Sequence, residues 1–326
     1  MTITLIATVL NECDNIQRLM DTIQQQTLQP DEIVIVDGGS RDQTVPILRR
    51  YESLLPLRVL IEPGCNISRG RNVALQAATG NIIAITDAGV RLENDWLEKV
   101  TQPLRDKPTC SVSAGFFRAD PQTPFEAALG ATTLPLVGEI NPATFLPSSR
   151  SVAVRRAAAL QVGGYPEWLD FCEDLIFDLR LQATQPPFAF MPQAIAHFRP
   201  RSTLSAFYKQ YYRYARGDGK ADLWRRRHAI RYMTYLVALP VLIGLIVFAH
   251  PAFALLLLIG GALYTRTPYR RLPTVMASLP DVSAMDWLYA LSLIPVLRIV
   301  GDIAKMIGYP VGAQWRSQNH PPSWKL

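Results

Sequence analysis

Short runs of apolar, β-branched residues alternate with segments of helical periodicity over the first two-thirds of the chain. Ile3–Val9 reads as a strand, and Asn15–Gln26 as a helix with Ile16, Leu19, Met20 and Ile23 on one face. Glu32–Val36 is a second strand ending at Asp37-Gly38-Gly39-Ser40, with a helix from about Thr44. Arg58–Ile61 is a third strand, and Ser68 has the chemistry of a cap for a helix running to Ala78. Asn81–Thr86 is a fourth strand and Asp95–Arg105 a further helix. This order predicts an α/β fold, a mostly parallel sheet with helices on both faces. Residues 118–150, rich in Pro, Thr and Ala, have no clear period. Order returns at Ser151–Val154, at a Gly163-Gly164-Tyr165 turn and at a helix opening on Glu173.

The pattern changes after Tyr232. Tyr232–Ala249 is an unbroken apolar stretch of 18 residues containing Pro240, and Ala252–Tyr264 adds 13 apolar or small residues beyond a His250-Pro251 turn. The first stretch is long enough for a bilayer and the second is short. Together they predict a helical hairpin with candidate spans at 232–249 and 252–266. A third segment, 287–307, is interrupted by Pro295, Arg298, Asp302 and Lys305 and is expected in the membrane interface. Residues 1–222 are thus expected to form the soluble domain and 223–326 a membrane-associated helical region.

Charge refines this division. The net charge is +6, and arginines cluster at Arg225, Arg226, Arg227 and Arg231 and again at Arg266, Arg270 and Arg271. Both clusters border the apolar region, which fits an anionic lipid surface better than nucleic acid. The hairpin tip carries no arginine, so both ends are expected in the cytoplasm. The N-terminus opens directly on a strand without a basic start, so the first domain is expected on the cytoplasmic side of the inner membrane. Four scattered cysteines without a CxxC pair argue against a zinc site or a disulfide framework.

Carboxylates sit where a parallel sheet gathers its ligands, beyond the carboxyl ends of the strands. They are Glu12, Asp37 and Asp87, with the pair Glu173-Asp174 opening a later helix. A dinucleotide site is excluded, because the first strand runs into Thr8-Val9-Leu10-Asn11-Glu12 with no glycine-rich turn to admit a pyrophosphate.

In order and spacing, Val9-Leu10-Asn11-Glu12, Asp37-Gly38-Gly39-Ser40-Arg41-Asp42-Gln43-Thr44, Arg71-Asn72, Asp87-Ala88-Gly89, Gly163-Gly164-Tyr165 and Glu173-Asp174 resemble the family 2 glycosyltransferases. The resemblance runs from about residue 3 to 217. It implies a GT-A nucleotide-sugar-binding fold, a nucleotide diphosphate-sugar donor and transfer with inversion, here to a lipid-linked or cell-envelope glycan acceptor. By the same resemblance Glu12 and Asp37 hold the base and ribose, roles that suit carboxylate acceptors. Arg71 and Arg69 lie where a guanidinium faces the diphosphate. Asp87 matches the first acid of the family's Asp-x-Asp, which holds Mn²⁺ or Mg²⁺ against the donor. Gly89 stands in the second acid's place, so metal dependence is left open, with His197 a candidate further ligand.

Asp174 matches the general base and Glu173 its orienting partner, while the alternative is an acidic first turn complementing the helix dipole. Asp42 reads as a helix cap rather than a ligand residue. Gln210-Tyr211-Tyr212-Arg213-Tyr214 resembles the Gln-x-x-Arg-Trp of processive synthases, which makes Gln210, Arg213 and Tyr214 candidates for acceptor binding. A small processive synthase subunit and an inactive nucleotide-sugar-binding membrane protein are the alternative readings.

Overall fold

The computed structural model describes residues 1–325, which form two compact units. One comprises Met1–Arg118, Leu136–Arg199 and the tail from Pro322; the other comprises Ala119–Pro135 and Pro200–Pro321.

The first unit is an eight-stranded sheet between two apolar layers. Its strands are β1 (Ile3–Val9), β2 (Glu32–Asp37), β3 (Leu57–Ile61), β4 (Ile82–Ile85), β5 (Val90–Leu92), β6 (Val112–Ala119), β7 (Val152–Arg155) and β8 (Ala189–Phe198). Their order is β3-β2-β1-β4-β7-β6-β8-β5. Because strand side chains alternate in direction, the central strands feed two cores. Leu5, Ala7, Val9, Ile33, Ile35, Ile82 and Ala84 point into one, and Ile6, Val34, Val36, Ile83 and Ile85 into the other.

The first core is closed by α1 (Ile16–Gln24), α2 (Thr44–Tyr51) and α4 (Trp96–Asp106). The second is closed by α3 (Ile67–Ala77), α6 (Arg156–Gln161) and α7 (Glu173–Thr184). Ile16, Leu19, Met20 and Ile23 are all fully buried, as the periodicity of α1 predicts.

Two details differ from the expectation. The sheet is mixed: β3-β2-β1-β4 is parallel, while β4–β7, β6–β7 and β5–β8 pair antiparallel. A short strand such as Val152–Arg155 carries no direction in its composition, so only the returning connection sets it. The cap of α3 is Asn66, whose side chain accepts from Arg69 N; Ser68 lies inside the helix and donates to Leu169 O at 2.7 Å.

The second unit is helical and takes in two elements expected with the sheet, α5 (Pro124–Thr133) and α8 (Leu204–Ala221). Ala127, Leu129 and Ala131 of α5 pack with Phe207 of α8, Leu272 and Met276, and Ile294 and Leu297. Residues 118–150 therefore hold a real helix, capped by Thr123, whose hydroxyl accepts from Glu126 N at 3.2 Å. Its small residues give it a weak periodic signal.

Among the described residues one helix, Arg225–Ala249, is long and apolar enough to cross a membrane, with a mean hydropathy of 2.2 over an 18-residue window and none of that window buried. The second candidate span is the first half of a helix, Ala254–Met276, that runs on through Arg266, Arg270 and Arg271. The segment 287–307 is no separate element. It is the middle of a 36-residue helix, Ala284–Asn319, with Pro295 and Pro310 inside it. Of its interrupting charges, Asp302 accepts from Arg231 Nε at 2.8 Å and from the Tyr264 hydroxyl at 2.5 Å, and Arg298 stands over the Tyr264 ring at 4.1 Å. Polar groups in an apolar bundle are tolerated on those terms.

Glycines let this long helix approach α8 closely. A Cβ at Gly308 would lie 2.2 Å from Tyr212 O, and one at Gly312 would lie 2.0 Å from Arg216 O. Both neighbours are backbone and cannot swing aside. Gly312→Ala should therefore cost on the order of 1–3 kcal/mol or more. Gly261→Ala, where a Cβ meets nothing within 4 Å, should cost nothing measurable. Thermal melts of the two variants in detergent decide this, and equal melting temperatures would remove the packing argument.

Candidate active site

β2, β1 and β4 are neighbours, and their carboxyl ends deliver Asp37, Glu12 and Asp87 to one edge of the sheet. Asp37 closes β2 and is 1% exposed. Its Oδ1 accepts from the backbone of Gly39 and Ser40, both at 2.8 Å, and Gly39 takes a φ of 94° to make that turn. Its Oδ2 is buried and has no hydrogen-bond partner. A buried carboxylate oxygen without a donor is costly, so it marks a place where a ligand's N–H or O–H fits.

Glu12 comes after Asn11, which sits at a φ of 54° and is braced by Ser40 and Arg41. The Glu12 carboxylate accepts from the Asn15 side chain at 2.9 Å. Asp42 is engaged locally but is not the expected cap of α2, whose N-cap is Gln43 with no side-chain cap bond. It accepts from the Thr44 hydroxyl at 2.6 Å, Thr44 N at 3.0 Å and Cys13 N at 3.2 Å, and the Thr44 bonds in particular hold its carboxyl well below the usual range.

Arg71 is placed differently from the expectation. Its side chain is 2% exposed, with one terminal nitrogen 2.5 Å from Glu173 Oε1 and the other 2.8 Å from Asp87 Oδ1. The guanidinium lies 5.1 Å from the centre of the Tyr165 ring. A donor-facing role does not match this burial; Arg71 links the strand-end acid to the acid on α7. Burial opposes its charge, but Asp87 and Glu173 together outweigh that and keep it firmly protonated. Arg69 is exposed and meets Glu62 at 3.3 Å and Glu167 at 3.6 Å.

The matched Arg71-Asn72 and Gly163-Gly164-Tyr165 segments are locked together. Asn72 donates to Tyr165 O and accepts from Tyr165 N, each at 2.8 Å. A Cβ at Gly164, where φ is 65°, would meet Asn72 Oδ1 at 2.4 Å. Tyr165 stacks on Phe177 at 4.3 Å, and its hydroxyl meets Ser149 Oγ at 3.0 Å.

Helix α7 starts from Cys172 in the left-handed region, at a φ of 65°. A non-glycine residue held there is a local strain, and it sets the direction in which the first turn of α7 leaves the loop. Glu173 is 5% exposed, and burial pushes its carboxyl up to about 7, with Asp174 adding to the effect and Arg71 opposing it. Asp174 is more open and lies next to it in the first turn. One turn further, Asp178 is 2% exposed with an unpartnered Oδ2. Burial, reinforced by the Asp174 charge, pushes its carboxyl far up. Asp178 is not among the residues that the sequence motifs single out. Its four-residue spacing from Asp174, on the buried face of α7, is the signal that finds it.

Asp87 does not sit in a metal-ligating cluster. Arg71 takes its Oδ1, and Arg150 Nε lies 3.7 Å from its Oδ2. Burial alone would raise its carboxyl, but Arg71 and Arg150 outweigh it and keep it lowered. His197 pairs in register with Arg91, and its Nε2 meets Glu93 Oε1 at 2.5 Å. Among the described residues no three His, Cys, Asp or Glu side chains are grouped to hold an ion. The protein side chains present therefore do not compose a metal-holding set. Gln210, Arg213 and Tyr214 lie on α8 in the helical unit, where Gln210 Nε2 donates to the Tyr214 hydroxyl at 2.8 Å.

Residues 4–154 match Glycosyl transferase family 2, and residues 136–298 match Glycosyl transferase family group 2. The chain belongs to the family 2 glycosyltransferases. It is 26% identical over 252 residues to the succinoglycan biosynthesis protein ExoA of Rhizobium meliloti, covering 72% of this chain and 74% of that one. It is 32% identical over 101 residues to glycosyltransferase AglE of Haloferax volcanii, an alignment spanning 30% of this chain and only 33% of that protein. The fold is that of mannosyltransferase PcManGT from Pyrobaculum calidifontis, solved with GDP-Man and Mn²⁺, with a TM-score of 0.56 at 20% identity over 98% of this chain and 87% of that one.

The raised Asp178 has a consequence for stability. Above roughly pH 4 the unfolded chain releases this proton while the folded chain keeps it, so the contribution falls as pH rises toward the folded value. Asp178→Asn removes that titration. The variant should gain thermal stability over wild type at about pH 8 and gain little near pH 4, by up to about 1.4 kcal/mol per pH unit of the window. Melting curves across that range check it, and a pH-independent difference would contradict the buried neutral carboxyl.

Proposed function

We propose that this protein moves a sugar from a nucleoside diphosphate donor to a lipid-linked or cell-envelope glycan acceptor, with inversion, at the cytoplasmic face of the inner membrane. The observation that carries the reading is the continuous array Asp87–Arg71–Glu173-Asp174, joined by the two ion pairs of one buried guanidinium. It ties the sheet edge that carries Asp37 and Glu12 to the acids suited to proton transfer.

In this reading the unpartnered Asp37 Oδ2 accepts an N–H from the base, and Glu12 contributes to the same nucleoside pocket. The β2 and β4 ends are two strands apart, roughly 10 Å, a spacing that takes a nucleoside at one and its diphosphate at the other. The acceptor hydroxyl oxygen attacks the anomeric carbon, and the bond from that carbon to the diphosphate oxygen breaks. The proton goes to the Asp174 carboxylate, and the nucleoside diphosphate leaves. Glu173, fixed by Arg71, orients its neighbour. Arg69, at the exposed start of α3, is a candidate contact for the departing diphosphate.

Ligation of Mn²⁺ or Mg²⁺ by Asp87 and His197 has one support, the Mn²⁺ in the PcManGT complex. The pairing of both side chains with other groups weighs against it. Acceptor binding is assigned to Gln210, Arg213 and Tyr214 on α8. Membrane attachment is assigned to residues 223–326, with Arg225–Ala249 as the span and the flanking arginines facing anionic lipid. The polysaccharide role in the name of the Rhizobium relative supports an envelope glycan as product.

Asp174→Asn should lower kcat by about 10²–10⁴ while leaving donor binding nearly unchanged. Release of nucleoside diphosphate from UDP-, GDP- and TDP-sugars, with membrane lipid extract as acceptor, measures this. Wild-type turnover in the variant would remove Asp174 from the reaction, and no turnover with any donor would favour a binding protein.

A further inference from the structure

We propose that Arg150, not a protein-held divalent cation, supplies the fixed positive charge facing the donor diphosphate. The proposal rests on the functional reading above. Arg150 lies two residues before β7, and its guanidinium is contacted by two aromatic rings and a serine hydroxyl. It stands over the Phe198 ring at 4.2 Å and the Phe117 ring at 5.5 Å, and its Nη1 donates to Ser148 Oγ at 3.0 Å. Its own carbonyl accepts from the Thr86 hydroxyl at 3.0 Å, which fixes its backbone to the residue preceding Asp87. About 18% of the side chain remains exposed beside Asp87, itself 25% exposed. Flat aromatic walls favour arginine over lysine, and the fork of N–H groups matches phosphate oxygens.

Three observations set this charge in the place a metal would take. The second acid needed to share a metal is replaced by Gly89, and packing does not force that choice, since a Cβ there meets nothing within 4 Å. Both oxygens of Asp87 face guanidinium groups, Arg71 at 2.8 Å and Arg150 at 3.7 Å. His197 is taken by Glu93. Arg71 is 2% exposed and gripped by two carboxylates, whereas the Arg150 side chain beside Asp87 keeps 18% of its surface exposed. A diphosphate arriving at the β4 end meets a preorganised positive group that Asp87 aims. No ion has to be desolvated first.

Calorimetric titration of the full chain in detergent with UDP and GDP, in excess EDTA or excess MnCl₂, tests this. Wild-type affinity for the better-bound nucleotide should agree within about threefold between the two conditions. Arg150→Gln should lose about tenfold or more in both, and Arg150→Lys should recover part of that loss. Gly89→Asp, placed in open space and so independent of any folding defect at Arg150, should weaken binding in EDTA and regain it with Mn²⁺. Wild-type binding seen only with Mn²⁺, or Arg150→Gln binding like wild type, overturns the proposal while leaving the transferase reading intact. Absence of binding in every condition overturns the donor assignment and this proposal with it.

Discussion

A guanidinium with almost no access to water holds the sheet unit's chemistry together. Arg71 sits on α3, and its two terminal nitrogens grip Asp87 at the end of β4 and Glu173 at the start of α7. Burying one charge is prohibitive, and burying it between two opposite charges is acceptable only with good geometry on both sides. The geometry here depends on the surroundings. Tyr165 lies against the guanidinium, Asn72 fixes the Tyr165 backbone, and Gly164 leaves the room Asn72 needs. Segments nearly a hundred residues apart are thereby held in one arrangement, and the two acids of α7 inherit their position from it.

The same low-dielectric setting separates the carboxylates by function. Asp87 is kept ionised by two arginines, Glu173 is drawn up to about 7 by burial, and burial also draws Asp178 well up. Asp174 lies between the last two along α7 and is more open to solvent, as the proposed transfer requires. Pairs of carboxylates whose surroundings push them apart are how one site carries several acid and base roles. Asp37 fits this division from the other end of the sheet edge, with one oxygen committed to its own turn and one left for a ligand.

The helical unit solves a different problem. Large apolar side chains such as Leu236, Phe248 and Leu258 are exposed at 63%, 88% and 67%, the observation behind the proposed membrane attachment. Under that proposal there is no strong hydrophobic drive between helices, and close backbone approach and internal polar pairs hold them together. Gly308 and Gly312 supply the first against α8, and Asp302 with Arg231 and Tyr264 supplies the second.

Much of the fold was legible in the chain. Short apolar, β-branched runs identified the strands, the four buried residues of α1 showed its face, and the ordered acids and glycines named the family. The locations of Glu12, Asp37, Asp87, Glu173 and Asp174 come from strand and helix ends, which are local properties. What local properties do not contain is who meets whom. The burial of Arg71 between two acids, the arginine beside Asp87 and the Glu93 partner of His197 each join residues distant in sequence, and no spacing encodes such a contact. The direction of β7, the transfer of α5 and α8 to the helical unit, and the merging of 287–307 into one long helix are likewise decided by packing. A proline or a charge reads as a break in isolation, but is tolerated once a neighbouring helix supplies its partner.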